Sequence, residues 1–325
     1  MKNVAIGVDI GGTNTAIGVV DEAGNVMVKD NIATPSHGDI NQYIADLAEA
    51  INQLINSVKL LNENIDVMGI GIGAPNGNYY TGTIDYAANL SFKGVVHLIK
   101  LLRNHFPQMP ALVLTNDANA AAIGEMIYGG AKGMKNFVLF TLGTGVGSGI
   151  VVNGDLVYGS DGFAGEIGHT TLVPGGRPCG CSSLGHLEAY CSASGIKRTA
   201  FELLVHYNAS DSLLADKSFR ELDSKMIYDA AEKGDKIALE VFEKTGEWLG
   251  IGLADTVHYL SPEAIFLFGG PTAAGDYLFK PTKENMEKHL LPFFKNKIKI
   301  LPSKLKPGDA AIVGASALVW KEIGK

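Results

Sequence analysis

The sequence predicts a two-domain α/β protein, and three observations carry the prediction. Buried-type strands alternate with helical stripes, a glycine-rich hairpin near the N-terminus returns in shape near the middle of the chain, and 325 residues exceed what one core usually serves. Val4 to Val8 reads as a buried strand, followed by the turn DIGGTN at 9–14 and a second strand from Thr15 to Val20. Asn25 to Ile32 supplies a third strand after the Gly24-Asn25 turn. Apolar residues at 40, 44, 47, 51, 54, 55, 58 and 61 form a helical stripe from Ile40 to Leu61. Val67 to Gly73 and Ala111 to Thr115 are short strands, and the run from Asp117 is helix-prone up to the Gly129-Gly130 stop.

The pattern then begins again. Sliding the N-terminus by 132 positions lays VAIGVDIGGTNTAIGVV on the segment from Asn136 to Val152, with Asp9 on Thr141 and Gly11 on Gly143. Identity is low, and the match is one of shape: strand, glycine turn, strand. It implies a duplicated architecture in which each half offers a glycine hairpin to one cleft, although unrelated hairpins also look alike. The repeat sets the expected boundary: an N-terminal domain over residues 1–117, joined by a C-terminal helix at 309–325, and a larger domain over 118–308. Within the latter, residues 196–260 are mostly helical by period. Ala264 to Phe268 is a strand ending in Gly269-Gly270-Pro271, and Ile298 to Leu301 is another.

Composition excludes several classes. The chain is 46% hydrophobic and 19% charged with 40 glycines, as in a turn-rich globular protein. A net charge of −7 argues against nucleic-acid binding, which needs a basic face. The apolar run of MKNVAIGVDIGG is short and broken by Asp9, so it does not read as a signal peptide. The stretch from Phe137 to Val152 carries four glycines and reads as paired strands, not a membrane helix. Three cysteines, an odd number, argue against a disulfide framework and make the cytoplasm the expected compartment.

Three clusters carry chemistry. DIGGTN puts two glycines at a tight turn, where the missing Cβ lets backbone N–H groups approach a phosphate. Thr13 adds a hydroxyl, and Asp9 is suited to hold Mg²⁺ through water. TLGTGVGSG at 141–149 offers the same means, whereas neither GxxxxGK[ST] nor a strand-to-helix GxGxxG is present. Asn116-Asp117 follows the strand ALVL and opens a helix, a usual place for a functional carboxylate and equally for a helix cap. As a general base, Asp117 would accept a proton from an attacking hydroxyl. In the third cluster, His169, Cys179, Cys181 and His186 offer two imidazoles and two thiolates, a tetrahedral Zn²⁺ set. The Cys-x-Cys spacing also fits reduced cysteines in a loop. Glu166, His169 and Glu188 bracket that loop and suit the several hydroxyls of a sugar.

DIGGTN, GIGIGAPNG at 69–77, TNDANAAAIGE at 115–125, TLGTGVGSGIVVNG at 141–154, AGEIGH at 164–169 and the CGC…HLE segment follow one another in the order of the ROK family of sugar kinases and sugar-responsive repressors. The resemblance runs through to GDAAIVGASAL at 308–318. It implies the two-domain actin-like ATPase (ribonuclease H-like) fold with an interdomain active-site cleft, and phosphorylation of a hexose at its 6-hydroxyl by ATP and Mg²⁺. On this resemblance Asp117 is the catalytic base. Asn89, Asn116, Asp117, Glu166, His169 and Glu188 are the sugar-binding set. Asp9, Gly11, Gly12 and Thr13, with Thr141, Gly143, Thr144 and Gly145, are the phosphate loops, and Gly269-Gly270 lies beside the adenosine. His169, Cys179 and Cys181 match three zinc ligands of the family, in which homodimers are common. His186 stands where the family has a cysteine, Ser182 where it has a glycine, and Asn76 interrupts a proline-glycine turn but tolerates a left-handed conformation. Glucose leads as substrate because Glu166, His169 and Glu188 can reach hydroxyls near C1 to C3, with N-acetylhexosamines, fructose and allose as alternatives. A sugar-sensing repressor is disfavoured, because a first strand at Val4 leaves no room for a preceding helix-turn-helix.

Overall fold

The computed structural model describes residues 2–35, 39–61 and 64–324. The chain opens with strands β1 (Lys2–Ile10), β2 (Asn14–Asp21) and β3 (Val26–Ala33), helix α1 (Ile40–Leu61) and strand β4 (Ile65–Gly73). Three short strands follow, β5 (Gly77–Asn78), β6 (Thr83–Asp85) and β7 (Val95–Val96), then α2 (Leu98–His105), β8 (Ala111–Thr115) and α3 (Asp117–Ile127). The second half holds β9 (Phe137–Leu142), β10 (Val146–Val152), β11 (Asp155–Leu156), α4 (Glu188–Cys191), α5 (Ala193–Tyr207), α6 (Ser224–Glu232) and α7 (Lys236–Leu260). It closes with β12 (Ala264–Phe268), α8 (Asp276–His289), β13 (Lys299–Pro302) and α9 (Ala310–Ile323).

The shape repeat in the sequence is a repeat of topology. One sheet runs β3-β2-β1-β4-β8 and another β11-β10-β9-β12-β13, so each reads third, second, first, fourth, fifth. In both, the strand before the glycine turn is central and the two following it are parallel, as in β1-β4-β8 and β9-β12-β13. Such central strands are covered on both faces and read as continuous apolar runs. β5, β6 and β7 leave no signal in the sequence, because strands of two or three residues show no alternation.

The chain divides into two compact units. The first comprises residues 1–134, 149–164 and 303–325, and the second residues 135–148 and 165–302. This differs from the division at 117 drawn from the repeat, because α3 packs on α9 in the first unit. A Cβ on Gly124 would lie 2.7 Å from the Gly314 Cα, so the two helices cross backbone to backbone. The fully buried Glu125 carboxylate then accepts from the Gly130 N–H at 2.5 Å, the Ser303 hydroxyl at 2.5 Å and the Lys304 N–H at 3.1 Å. Residues 149–164 join the same unit as Tyr158 stacks on Tyr79 at 4.2 Å and the Asp161 carbonyl accepts from Asn78 Nδ2 at 2.7 Å.

The core of the first unit fills one face of its sheet with Ile6, Val8, Ile17, Ile70 and Ile72 against Ile44, Leu47 and Ile51 of α1, all fully buried. The stripe predicted over 40–61 is therefore a burial face. On the opposite face α9 approaches closely, since any Cβ at Gly7 would overlap the Ile312 carbonyl and one at Gly71 the Ala315 carbonyl. Close approach leaves no room for side chains there, so strand glycines serve packing.

Candidate functional site

In the first unit, strand register brings the acidic residues together. Asp9 of β1 lies opposite Gly73 of β4, and Gly73 opposite Thr115 of β8. The three strands thus end level, and Asp9, Asn116 and Asp117 emerge at their carboxyl ends, where open α/β sheets bind ligands. A Cβ at Gly73 would lie 3.5 Å from the Asp117 Cα and 3.8 Å from Asp9 Oδ1, so the glycine keeps the space between the two acids clear. Asn116 caps α3, its Oδ1 accepting from the Ala118 N–H at 2.9 Å, and Asp117 Oδ1 accepts from the same N–H at 2.8 Å. Asp117 keeps an exposed surface yet lies deep among protein atoms, and this desolvation, eased by the backbone N–H bonds, raises its pKa. Burial and then the charge of Asp117 push Asp9 up to about 6.

The turn after β1 closes with the Gly11 N–H donating to the Asn14 carbonyl at 3.0 Å. A Cβ at Gly12 would come within 2.6 Å of the Asn89 carbonyl, so Asn89 lies against this turn. Gly12, Thr13 and Asn89 are all exposed and open to a ligand.

In the second unit, Thr141, one residue before the end of β9, lies opposite Phe268, the last residue of β12, so Gly269 and Gly270 leave the sheet beside the turn at 143–145. The Gly143 N–H donates to the Gly145 carbonyl at 2.9 Å, and the Gly143 carbonyl accepts from the Ala193 N–H at 2.8 Å where α5 begins. Gly269 has φ 116°, and a Cβ on it would overlap the Leu142 carbonyl. A cavity of about 560 Å³ opens here, lined by Gly143, Thr144, Lys197, Lys225, Tyr228 and Gly270 among others. Lys197, Lys225 and Tyr228 carry no signal of this role in the sequence, since a charge or ring on an amphipathic helix reads as a solvated or packed face.

Glu188 joins this turn to the Cys/His loop. Its Oε2 accepts from the Val146 N–H at 3.0 Å, packed so closely that a Cβ at Gly145 would overlap it. Its Oε1 accepts from the Cys179 thiol at 3.3 Å. Glu166 and His169 are adjacent, with His169 Nε2 3.8 Å from Glu166 Oε2. Ser148 sets this segment, its hydroxyl donating to the Gly165 carbonyl and accepting from the Ile167 N–H at 3.4 Å.

The donor set at the loop fits a tetrahedral metal. One ligand atom from each of His169, Cys179, Cys181 and His186 lies within 4.8 Å of every other. Cys179 Sγ is 3.7 Å from His169 Nδ1, and Cys181 Sγ is 3.2 Å from His186 Nδ1. Zinc bonds of about 2.3 Å to sulfur and about 2.0 Å to nitrogen give a tetrahedron with S–N edges of roughly 3.5 Å. Both imidazoles face the thiols through Nδ1, which leaves His169 Nε2 on the side of Glu166. Ser182 takes φ 73° and Asn76 φ 52°, so both departures in loop chemistry are accommodated as left-handed residues.

The structure thus assembles Asp9, Gly11, Gly12, Thr13, Asn89, Asn116 and Asp117 in one unit. It assembles Thr141, Gly143, Thr144, Gly145, Glu166, His169, Cys179, Cys181, His186, Glu188, Gly269 and Gly270 in the other. Among the described residues, no helix is long and apolar enough to cross a membrane.

Comparison with known proteins agrees along the whole chain. The ROK family model matches residues 5–322. A glucokinase of Halalkalibacterium halodurans is 36% identical over 98% of this chain and 95% of its own length. A glucokinase of Thermotoga maritima is 32% identical over 98% of both chains. The crystal structure of a ROK family glucokinase from Streptomyces griseus in complex with glucose and AMPPNP superposes with a TM-score of 0.79 at 32% identity, over 98% of this chain and 99% of that one. The fold is accordingly the two-domain actin-like α/β fold of ROK sugar kinases, and the chain belongs to the ROK family.

Proposed function

We propose that the protein transfers the γ-phosphoryl group of ATP to the 6-hydroxyl of glucose, giving glucose 6-phosphate and ADP. The observation that carries this reading is Asp117, a carboxylate with raised pKa at the level carboxyl ends of β1, β4 and β8, beside the turn at 11–14. A carboxylate of raised basicity is suited to take the proton of an attacking hydroxyl, and little else is asked of the protein beyond positioning and charge stabilisation. The glucokinases with which the chain shares about a third of its residues support the choice of glucose and ATP.

Each unit would contribute named groups. In the first, Asp117 takes the 6-hydroxyl proton and orients the oxygen toward phosphorus, while Asn89 and Asn116 offer amides to sugar hydroxyls. The backbone N–H groups at Gly11, Gly12 and Thr13 receive phosphate oxygens, and Asp9, which burial and then the charge of Asp117 push up to about 6 and which is therefore mostly ionised at neutral pH, would hold Mg²⁺ through water. Mg²⁺, when bound, neutralises charge on the phosphates. In the second unit, Glu166, His169 Nε2 and Glu188 pair sugar hydroxyls, each of which must be satisfied when buried. The turn at Thr141–Gly145 receives phosphates, and the cavity beside Gly269-Gly270 takes the adenosine. His169, Cys179, Cys181 and His186 would hold Zn²⁺, which supplies structural closure of a loop poor in apolar surface. A cytoplasmic homodimer that binds no nucleic acid completes the proposal, supported by the family resemblance and the charge of −7.

A coupled assay over glucose, N-acetylglucosamine, N-acetylmannosamine and fructose tests the substrate. Glucose should give the highest kcat/KM. Preference for an N-acetylhexosamine would overturn the choice of sugar.

A further inference from the structure

Glu188 opens α4, a helix of one turn, and a single turn has no stability of its own in water. The loop before it is rich in glycine, proline and serine, and its backbone closes on itself only at a few points, such as the Cys179 N–H to the Ser183 carbonyl at 2.9 Å. A carboxylate that meets sugar hydroxyls accurately needs firmer support than this.

One side chain crosses all the elements involved. Arg177 has only 9% of its side chain exposed. Its guanidinium lies over the Tyr190 ring of α4 at 4.7 Å and the Trp248 ring of α7 at 4.8 Å. Nη1 donates to the Thr199 hydroxyl at 3.0 Å and to the Ala189 and Gly195 carbonyls at 3.4 Å. Nε donates to Glu202 Oε1 at 3.1 Å, and Nη2 pairs with Oε2 of the same carboxylate. The Arg177 backbone adds two ties, its N–H to the Tyr190 hydroxyl at 2.9 Å and its carbonyl from the Gly185 N–H at 2.8 Å.

We infer that Arg177 is a positioning residue for the sugar: it fixes α4 against α5 and α7 and thereby aims Glu188. The inference rests on reading Glu188 as a sugar ligand. Three features support it. The contacts reach α4 at the Ala189 carbonyl and the Tyr190 ring, one and two residues from Glu188. The guanidinium is used as a planar fork and a stacking face at once, which an ammonium cannot reproduce. None of its partners belongs to the phosphate turns, so loss of Arg177 should act on the sugar and spare the nucleotide.

The experiment is a double-mutant cycle of R177K and E188Q, reading the glucose KM, kcat and the Kd of AMPPNP by calorimetry. E188Q alone should raise the glucose KM; if it does not, the reading of Glu188 fails and the inference falls with it. R177K should raise the glucose KM by roughly 10- to 100-fold, the scale of a misplaced binding group, with the AMPPNP Kd unchanged. In the E188Q background R177K should add little, because the two act as one unit. If the effects of the two substitutions multiply, or if R177K weakens AMPPNP as much as glucose, Arg177 is a general stabiliser and the inference is wrong. Should R177K fail to fold, E202Q releases the same guanidinium from a half-exposed partner. It should raise the glucose KM in the wild-type background but not beside E188Q, and an E202Q protein with wild-type glucose KM would also overturn the proposal.

Discussion

At the scale of single residues, two acids held close together work against the stability of the first unit. Burial and the charge of Asp117 lift Asp9 from 3.8 to about 6. A carboxyl whose pKa is raised on folding favours the folded state only while protonated. Its cost to stability is therefore absent below about pH 4, grows as pH rises toward 6, and is constant above. Replacing it by asparagine removes that cost, so Asp9→Asn should stabilise the ligand-free protein at pH 7.5 by up to about 3 kcal/mol while impairing turnover. Urea denaturation of both proteins at pH 7.5 and pH 4 checks this; the gain should disappear at the lower pH. An equal gain at both values would mean that the carboxyl charge is not its source. The turn that carries this residue was legible in sequence, but its raised pKa was not, because it depends on strand register placing Asp9 level with Thr115, two residues before Asp117.

At the scale of elements, the glycine turn at 143–145 and the Cys/His loop meet at one carboxylate. Gly145→Ala would place a methyl group where Glu188 Oε2 now lies, and overpacking of this kind costs about 1–3 kcal/mol or moves the neighbour. The expected outcome is a glucose KM raised tenfold or more with the fold retained by circular dichroism, a shift worth about 1.4 kcal/mol. A wild-type KM would mean that Glu188 can move without consequence. The loop itself should carry about one zinc per chain, the capacity of a four-ligand site. Elemental analysis after purification without added metal should show it, and chelation should weaken glucose binding more than AMPPNP binding. Metal-free protein of full activity would leave the loop held by hydrogen bonds alone. The Cys/His cluster was legible from residue types, whereas Arg177 was not. A lone arginine after two glycines has no spacing signal, and its partners come from helices up to 71 positions away. Lys197, Lys225 and Tyr228 were hidden likewise, because a cavity wall built from two helices and a turn has no signature in any one of them.

At the scale of the whole molecule, the duplicated topology and the return of the C-terminal helix to the first unit were legible, while the placing of α3 and residues 149–164 was not. Two strand–glycine–strand segments 132 positions apart share a shape because both place a central strand before a turn that needs backbone exposed. The place of α3 is set by packing: the Gly124–Gly314 crossing and the buried Glu125 hold it against the C-terminal segment of the first unit. That packing also fixes the helix whose first residue is Asp117, the proposed base. The most direct measurement is therefore turnover of glucose and ATP by Asp117→Asn, with glucose and AMPPNP binding measured alongside by calorimetry. Both ligands should bind within about threefold of wild type, since the substitution removes a charge and leaves the Asn116 cap in place. The rate of glucose 6-phosphate formation should fall by ~10²–10⁴-fold, the usual contribution of a general base. Turnover near the wild-type rate would contradict the assignment of Asp117 as the base that activates the sugar.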